Sequence, residues 1–384
     1  MELCKHETNS AEGISLYIHI PFCRKKCLYC DFPSFSNREK LMNEYSRALA
    51  REIDNLSKIK IKSIFIGGGT PTYMNMEAWE NIYDSIVDLD TVENMEFTVE
   101  GNPGSFTKEK FKILKKMGVN RLSIGLQAWQ NYILKNLGRI HTVEEFLQAY
   151  NLARRFEFTN INVDLMFGLP NQDIQEWRET LKNVVELQPE HISCYSLIIE
   201  QNTPFYNMYR RGYIGLPGED EEREMYDFAI DFLESKGYEQ YEISNFSRKG
   251  FNCIHNLTYW NLQEYIGCGV SAHSYLNGYR YRKSGDIEQY IKEAGENKFV
   301  RYDIHKNSIE DSIEEFMFMG LRKIRGISIS EFESRFKMDI NSVYKNIIDK
   351  HIKYGTLIRN GDSLYLSRRG IQVSNSVMCE FILT

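Results

Sequence analysis

The sequence predicts an α/β fold, in which parallel strands joined by crossover helices are followed by a smaller helical unit. Short β-branched or apolar runs recur at about 15–20, 62–66, 95–99, 121–125, 161–166 and 191–197. Each is separated from the next by a stretch of helical periodicity, the alternation expected of a parallel sheet. Six such units are fewer than the eight that close a complete barrel, so a barrel built from them is open on one side.

The first helix is signed by Ser36 and Glu39 as a capping box, and by Leu41, Tyr45, Leu49, Ile53 and Leu56 along one face. Further helices are expected at about 107–117, 142–156, 173–187 and 219–236. A second unit begins near 300, after GENKFVRYDIHKNS, with helices at 312–325, 328–335 and 341–353 and a hairpin within 357–367 turning at Asn360-Gly361. Helices followed by a hairpin suggest a winged-helix shape. From 312 onward 11 Lys/Arg face 8 Asp/Glu, too weak an excess for a nucleic-acid footprint. A packing or lid module over the open side of the barrel is therefore favoured over a DNA-binding regulator. The expected division is a tail at 1–14, a barrel with an extension at 15–300 and a winged-helix-like domain at 301–384.

With 384 residues, 42% of them hydrophobic, the chain fills a sizeable core. A net charge of −6 argues against a general nucleic-acid binder. The opening MELCKHETNSAEG has no basic start followed by an apolar core, and no run approaches the ~18 apolar residues of a membrane span. A soluble cytoplasmic protein is the plain expectation. Eight cysteines are too sparse for a disulfide scaffold, and Cys4, Cys194, Cys253, Cys268 and Cys379 read as ordinary thiols.

The remaining three, Cys23, Cys27 and Cys30, stand in YIHIPFCRKKCLYCDF as C-x3-C-x2-C directly after a strand. Structural zinc wants four protein ligands, whereas an iron–sulfur cube held by three thiolates keeps one iron open for a small ligand. Zinc completed by His19 or Cys4 is the alternative, and three reduced core thiols the bland one. GGGTPT at 67–72 follows the strand IKSIFI. It lacks both the ending of a phosphate loop and the dinucleotide fingerprint, so its glycines suit close approach of some other ligand to the backbone.

Beyond the cysteine loop and GGGTPT, the runs EGNPGS at 100–105, GVNRLSIGLQAW at 118–129, LGRIH at 137–141, VDLMFGLP at 163–170, YEISNFSRKG at 241–250, HNLTYW at 255–260 and YIGCGVSAHSY at 265–275 recur in order. Together they resemble the oxygen-independent coproporphyrinogen III oxidase-like family of radical S-adenosylmethionine (SAM) proteins over nearly the whole chain. The resemblance implies a partial (β/α)6 TIM-like radical SAM barrel and a [4Fe-4S] cluster on Cys23, Cys27 and Cys30. It also implies SAM held by Gly68, Gly69 and Thr70 through its methionine part, with Glu100, Gln127, Arg139, Asp164, Tyr17 and Tyr29 as further contacts. A side chain at Gly68 is accordingly expected to collide with bound SAM rather than with the fold.

The chemistry the resemblance implies is reductive cleavage of SAM to methionine and a 5′-deoxyadenosyl radical, fed by a donor of the flavodoxin or ferredoxin type. Whether this chain turns SAM over, and whether it pairs as a homodimer, stay open. The oxidase branch carries a further cysteine two positions past the cluster, where this chain has Phe32, and a longer N-terminal arm. The chain is more similar to the HemW-type heme chaperone branch, whose H-N-x-x-Y-W run is matched by His255, Asn256, Tyr259 and Trp260. That branch is expected to bind heme and pass it to acceptors such as respiratory enzymes. Imidazole suits heme iron, so His255 is the expected axial ligand, with Cys253 as alternate. His273 is a weaker candidate for a pocket position.

Overall fold

The computed structural model describes residues 13–383. The first unit alternates as expected: β1 (Ile14–Ile20), α1 (Met42–Asp54), β2 (Ile61–Gly68), α2 (Met76–Val87), β3 (Thr91–Gly101), α3 (Lys108–Lys116), β4 (Arg121–Gln127), α4 (Asn131–Asn136), α5 (Val143–Arg155), β5 (Ile161–Phe167), α6 (Ile174–Glu186) and β6 (His191–Ser196). β1 to β6 are parallel in sequence order. The chain continues through α7 (Pro204–Arg210), α8 (Glu219–Ser235), β7 (Glu239–Glu242), β8 (Asn245–Ser247), α9 (Ile254–Trp260), β9 (Tyr265–Cys268), β10 (His273–Leu276), β11 (Tyr279–Arg282), α10 (Ile287–Gly295) and β12 (Tyr302–Lys306). These add to both edges, giving one sheet of order β12-β11-β10-β9-β1-β2-β3-β4-β5-β6-β8-β7. The edges do not pair with each other, so the barrel is partial.

Strand alternation sorts the side chains into two unlike faces. Leu16, Ile18, Ile64, Ile66, Phe97, Val99, Leu122, Ile124, Val163 and Ile192 are fully buried in the core, as period-2 geometry requires of the face that packs on helices. The opposite register carries Ser15, Ser63, Glu96, Arg121, Asn162 and His191, also buried. This polar face is tied together by hydrogen bonds. Asn162 Nδ2 donates to Asp164 Oδ1 and to Ser123 Oγ (both 2.8 Å), and its Oδ1 lies 2.7 Å from His191 Nδ1.

The N-terminal end of this polar interior is plugged by α9. Glu96 accepts the backbone N–H groups of Ile254 and His255, both at 2.9 Å, and the Cys253 thiol at 3.5 Å. Thr258 Oγ1 and Ser15 Oγ are 2.8 Å apart, and Ser63 Oγ donates to Ser15 Oγ at 2.7 Å. A buried carboxylate thus satisfies backbone donors that a helix start would otherwise leave orphaned.

The C-terminal unit comprises α11 (Ile309–Gly320), β13 (Ile327–Ser328), α12 (Ile329–Phe336), α13 (Ile340–Lys353), β14 (Leu357–Asn360), β15 (Ser363–Leu366), α14 (Arg368–Gln372) and α15 (Ser374–Cys379). Its three-stranded sheet, β13-β15-β14, has the winged-helix arrangement. This unit reaches both edges of the open sheet. Glu315 of α11 takes Arg280 of β11 (Nη2 to Oε2, 2.7 Å), while Ile243 N donates to Arg322 O (3.1 Å) and Ile324 N to Tyr241 O (3.1 Å) beside β7.

Three expectations are corrected, and one helix was not foreseen. The Ser36/Glu39 capping box is absent, because a 3-10 turn over Glu39–Leu41 precedes α1 and the Glu39 carboxylate accepts the Tyr73 hydroxyl instead. α2, with Asn75 accepting from Ala78 N, was not foreseen. The hairpin closes on Asn360 and Ser363, so its two-residue turn is Gly361-Asp362, one residue later than expected. Residues 302–306 pair with β11 in the large sheet, so the boundary lies beyond 301. The tail expected at 1–14 lies outside the described residues up to residue 12, and Ile14 already belongs to β1.

Removing the Glu96 carboxylate should strip partners from the buried His255 N–H and the part-buried Ile254 N–H. Glu96→Ala is expected to cost on the order of 3 kcal/mol, read as a lower urea midpoint. Glu96→Gln, which keeps an acceptor, should cost clearly less; equal midpoints for wild type and Ala would remove the plug from this account.

Candidate functional site

At the C-terminal ends of the parallel strands, where such folds place their chemistry, lies a cavity of about 380 Å³. Its wall contains Cys23, Cys27 and Cys30, so the loop after β1 turns all three thiols toward one space. The loop is held by backbone: Cys23 N donates to Phe35 O (3.0 Å), Leu28 N to Leu137 O (3.0 Å) and Thr70 N to Phe22 O (2.8 Å). Cys23 is buried beside Thr70, with Sγ 3.7 Å from Thr70 Oγ1.

Of the side chains expected around SAM, Tyr29, Gly68, Gly69, Thr70, Glu100, Gln127, Arg139 and Asp164 line this same cavity. Tyr17 does not. It sits three residues back from the end of β1, its hydroxyl 2.9 Å from His19 Nδ1 and its ring stacked on Phe65. His19 is likewise committed, with Nε2 2.7 Å from Pro33 O, so it is not presented as a fourth metal ligand. Cys4 lies outside the described residues.

The carboxylates at the cavity floor differ in their surroundings. Asp164 accepts Ser123 Oγ and Asn162 Nδ2, both at 2.8 Å, and Asn162 is itself fixed from behind by His191. Glu100 accepts the Gly68 N–H at 3.2 Å. Burial, with the Asp164 charge adding to it, pushes the Glu100 carboxyl up to about 8. Arg139 donates from Nη1 to Asn102 Oδ1 at 2.8 Å, while its buried Nε has no partner among the described residues. Two facing carboxylates and an arginine supply acceptors for an ammonium and for ribose hydroxyls, and a donor for a carboxylate.

The residues present fit the cluster and SAM that the sequence implies. A Cβ on Gly69 would stand 3.1 Å from Cys23 Sγ and 2.8 Å from Phe22 O, so only glycine allows β2 to lie against the cysteine loop. Gly68 corrects its expectation. Its φ is +111°, and a Cβ there would meet the His19 ring at 2.4 Å, so this glycine is required by the fold itself rather than only by a ligand.

His255, the expected axial ligand, lies outside the thiol-lined cavity. It is buried inside the barrel, with Nδ1 2.9 Å from Ser63 Oγ and Nε2 2.9 Å from Tyr259 OH. Neither nitrogen is presented to a ligand in this arrangement. Cys253, fully buried against Glu96, is no more accessible. His273 is exposed on β10 and lines none of the cavities described here.

Sequence reasoning missed Asn102, Ser123, Met166, Tyr195 and Ile198 of the cavity wall. Ser123, Met166 and Tyr195 share the register of Glu100 and Asp164 on the inward strand face, a signal that period-2 alternation could have supplied.

Comparison with known proteins agrees with this geometry. A family model described as the radical SAM superfamily matches residues 17–184, and one described as the HemN C-terminal domain matches 308–373. The Bacillus subtilis protein named heme chaperone HemW is 38% identical over 374 residues, covering 96% of this chain and 99% of that protein. Its namesake in Escherichia coli K12 is 33% identical over 379 residues, covering 96% and 98%. The solved structure of Escherichia coli coproporphyrinogen III oxidase, HemN, has a TM-score of 0.83 at 22% identity, over 97% of this chain and 90% of that one. That likeness establishes the fold.

Two outcomes follow for the floor of the cavity. The raised Glu100 carboxyl favours its neutral form in the folded chain, so the stability it contributes is full below pH 4.5 and is lost as pH rises through about 8. Glu100→Gln should therefore melt higher than wild type at pH 8, with the gap closing toward pH 4.5, while losing SAM affinity. Melting curves that run parallel at all pH values would contradict this. Gly68→Ala should lower stability by about 2 kcal/mol or more even without ligand; a wild-type melting temperature would return the glycine to a ligand-only role.

Proposed function

The chain belongs to the radical SAM superfamily and, within it, to the family of the HemW heme chaperones, and from that premise we propose that it binds heme and hands it to acceptor hemoproteins in the cytoplasm. The observation that carries this reading is the end-to-end match to a heme chaperone at 38% identity. The residue two places past the cluster loop supports it: Phe32, largely exposed at the cavity rim, stands where the oxidase branch has a further cysteine.

In this reading Cys23, Cys27 and Cys30 hold a [4Fe-4S] cluster, and Glu100, Gln127, Arg139 and Asp164 orient SAM beside it. When bound, these groups supply one-electron chemistry; the protein contributes placement and exclusion of water. An electron donor of the flavodoxin or ferredoxin type and acceptors such as respiratory enzymes belong to the same reading.

Heme is cargo here, and α9 is its proposed seat. A cavity of about 260 Å³ lies along this helix, lined by Tyr259, Trp260, Tyr265, Tyr275, Arg280 and Met319. Trp260 Nε1 is buried there without a partner among the described residues. Aromatic walls suit a macrocycle, and Arg280 offers a cation for a propionate, although Glu315 holds it in the described state. His255 reaches iron only by exchanging its contact with Tyr259 OH.

Coordination by exchange makes a distinctive pair of variants. Tyr259→Phe frees Nε2 and should bind heme as tightly as wild type or up to about tenfold tighter. His255→Ala should lose or shift the Soret band while cluster content stays. An unchanged heme spectrum in folded His255→Ala would take the ligand role away from this residue.

A further inference from the structure

A second cavity, of about 300 Å³, opens on the other side of the cysteine loop. It shares Lys25, Cys27, Thr70, Asn102 and Arg139 with the first, and adds Arg24, Lys110 and His141 to its wall. Its charge is lopsided. Arg24, Lys25, Lys110 and Arg139 line it, against the single carboxylate of Glu145, which is occupied in part by the Thr142 N–H at 2.9 Å as the capping box of α5.

Three of its polar side chains lack the partners their chemistry calls for. Lys110 Nζ donates to the carbonyls of Thr72 and Ser105 and has no carboxylate partner among the described residues. Burial accordingly pulls its ammonium down to about 8. Arg139 Nε, a donor, and His141 Nδ1 are both buried without partners among the described residues. Burial and the nearby Arg139 keep His141 neutral, and its Nε2 lies 3.4 Å from Leu126 O, which leaves Nδ1 as an acceptor. Buried donors and cations without counter-charge are costly, and an oxyanion that also bears an O–H has the chemistry each of the three lacks.

We propose that this cavity is a binding site for an oxyanion, the phosphate or carboxylate group of a small molecule, held by Lys110 and Arg139 with His141 accepting a hydrogen bond from it. A hydrogen phosphate fits the donor and acceptor set most fully. The site adjoins the first cavity and shares Arg139 with it, but Lys110 and His141 line only the second. It does not rest on the heme reading. LGRIH, otherwise represented in the SAM cavity only by Arg139, acquires a second role through His141.

Calorimetric titration of the anaerobically purified, cluster-loaded chain with inorganic phosphate, and separately with succinate, tests the site in a buffer free of both. Saturable binding of at least one is expected, weakened about tenfold or more in Lys110→Gln and retained within about threefold in Lys110→Arg. Cluster iron and SAM affinity should be unchanged in Lys110→Gln. Phosphate alone binding assigns a phosphate group, succinate alone a carboxylate, and either supports the site. If Lys110→Gln does not fold, Arg24→Gln at the exposed rim should weaken the same titration about threefold. No saturable heat with either oxyanion, or equal affinity in folded Lys110→Gln, overturns the proposal.

Discussion

Six parallel strands cannot close on themselves, and most of this architecture answers that constraint. A closed barrel fills its interior with apolar side chains. Here the inward register carries serines, carboxylates, Arg121, Asn162 and His191, and these must be paired inside the protein. The N-terminal end is stoppered by α9 through Glu96, and the open side is spanned by α11 and the segment after it, which bond to β11 and beside β7. Among the described residues, the C-terminal mouth stays open. The cavity lies there because the other exits are filled.

Polar pairing along the strands also connects distant parts of the molecule. From Asp164 at the cavity floor the chain of contacts runs through Asn162 to His191, then to Tyr241 at 2.8 Å, whose hydroxyl accepts Cys253 N at 3.3 Å at the start of α9. The cavity floor and the helix proposed to seat heme are thus parts of one buried network. Its value to the fold depends on complete pairing, since a half-satisfied polar core costs more than an apolar one.

The strand and helix order was legible because hydrophobic periodicity is strong in buried parallel strands, and the cysteine spacing announced the site before any geometry was known. What failed in the reading has local causes. The Ser36/Glu39 pattern matched a capping box, but a 3-10 turn intervened, and sequence does not register where a helix tightens at its start. GGGTPT was read for a ligand, whereas φ at Gly68 and the His19 ring behind it make the glycine a packing requirement. His255 was expected as an axial ligand, and its resting partner Ser63, 192 residues away in sequence, is not visible until the chain folds. The C-terminal boundary slipped because β12, exposed along most of its length, lacks the apolar signal of the inner strands.

The central claim is that this scaffold carries heme rather than oxidising its precursor. The most direct measurement places both in one tube: anaerobic, cluster-loaded protein with SAM and reductant, divided between a heme titration followed by transfer to an apo-hemoprotein, and an assay for decarboxylation of coproporphyrinogen III. The account predicts saturable heme binding at defined stoichiometry, transfer to the acceptor, and no protoporphyrinogen IX. Turnover near the ~1 per second or more of ordinary enzymes, without heme binding, would contradict it.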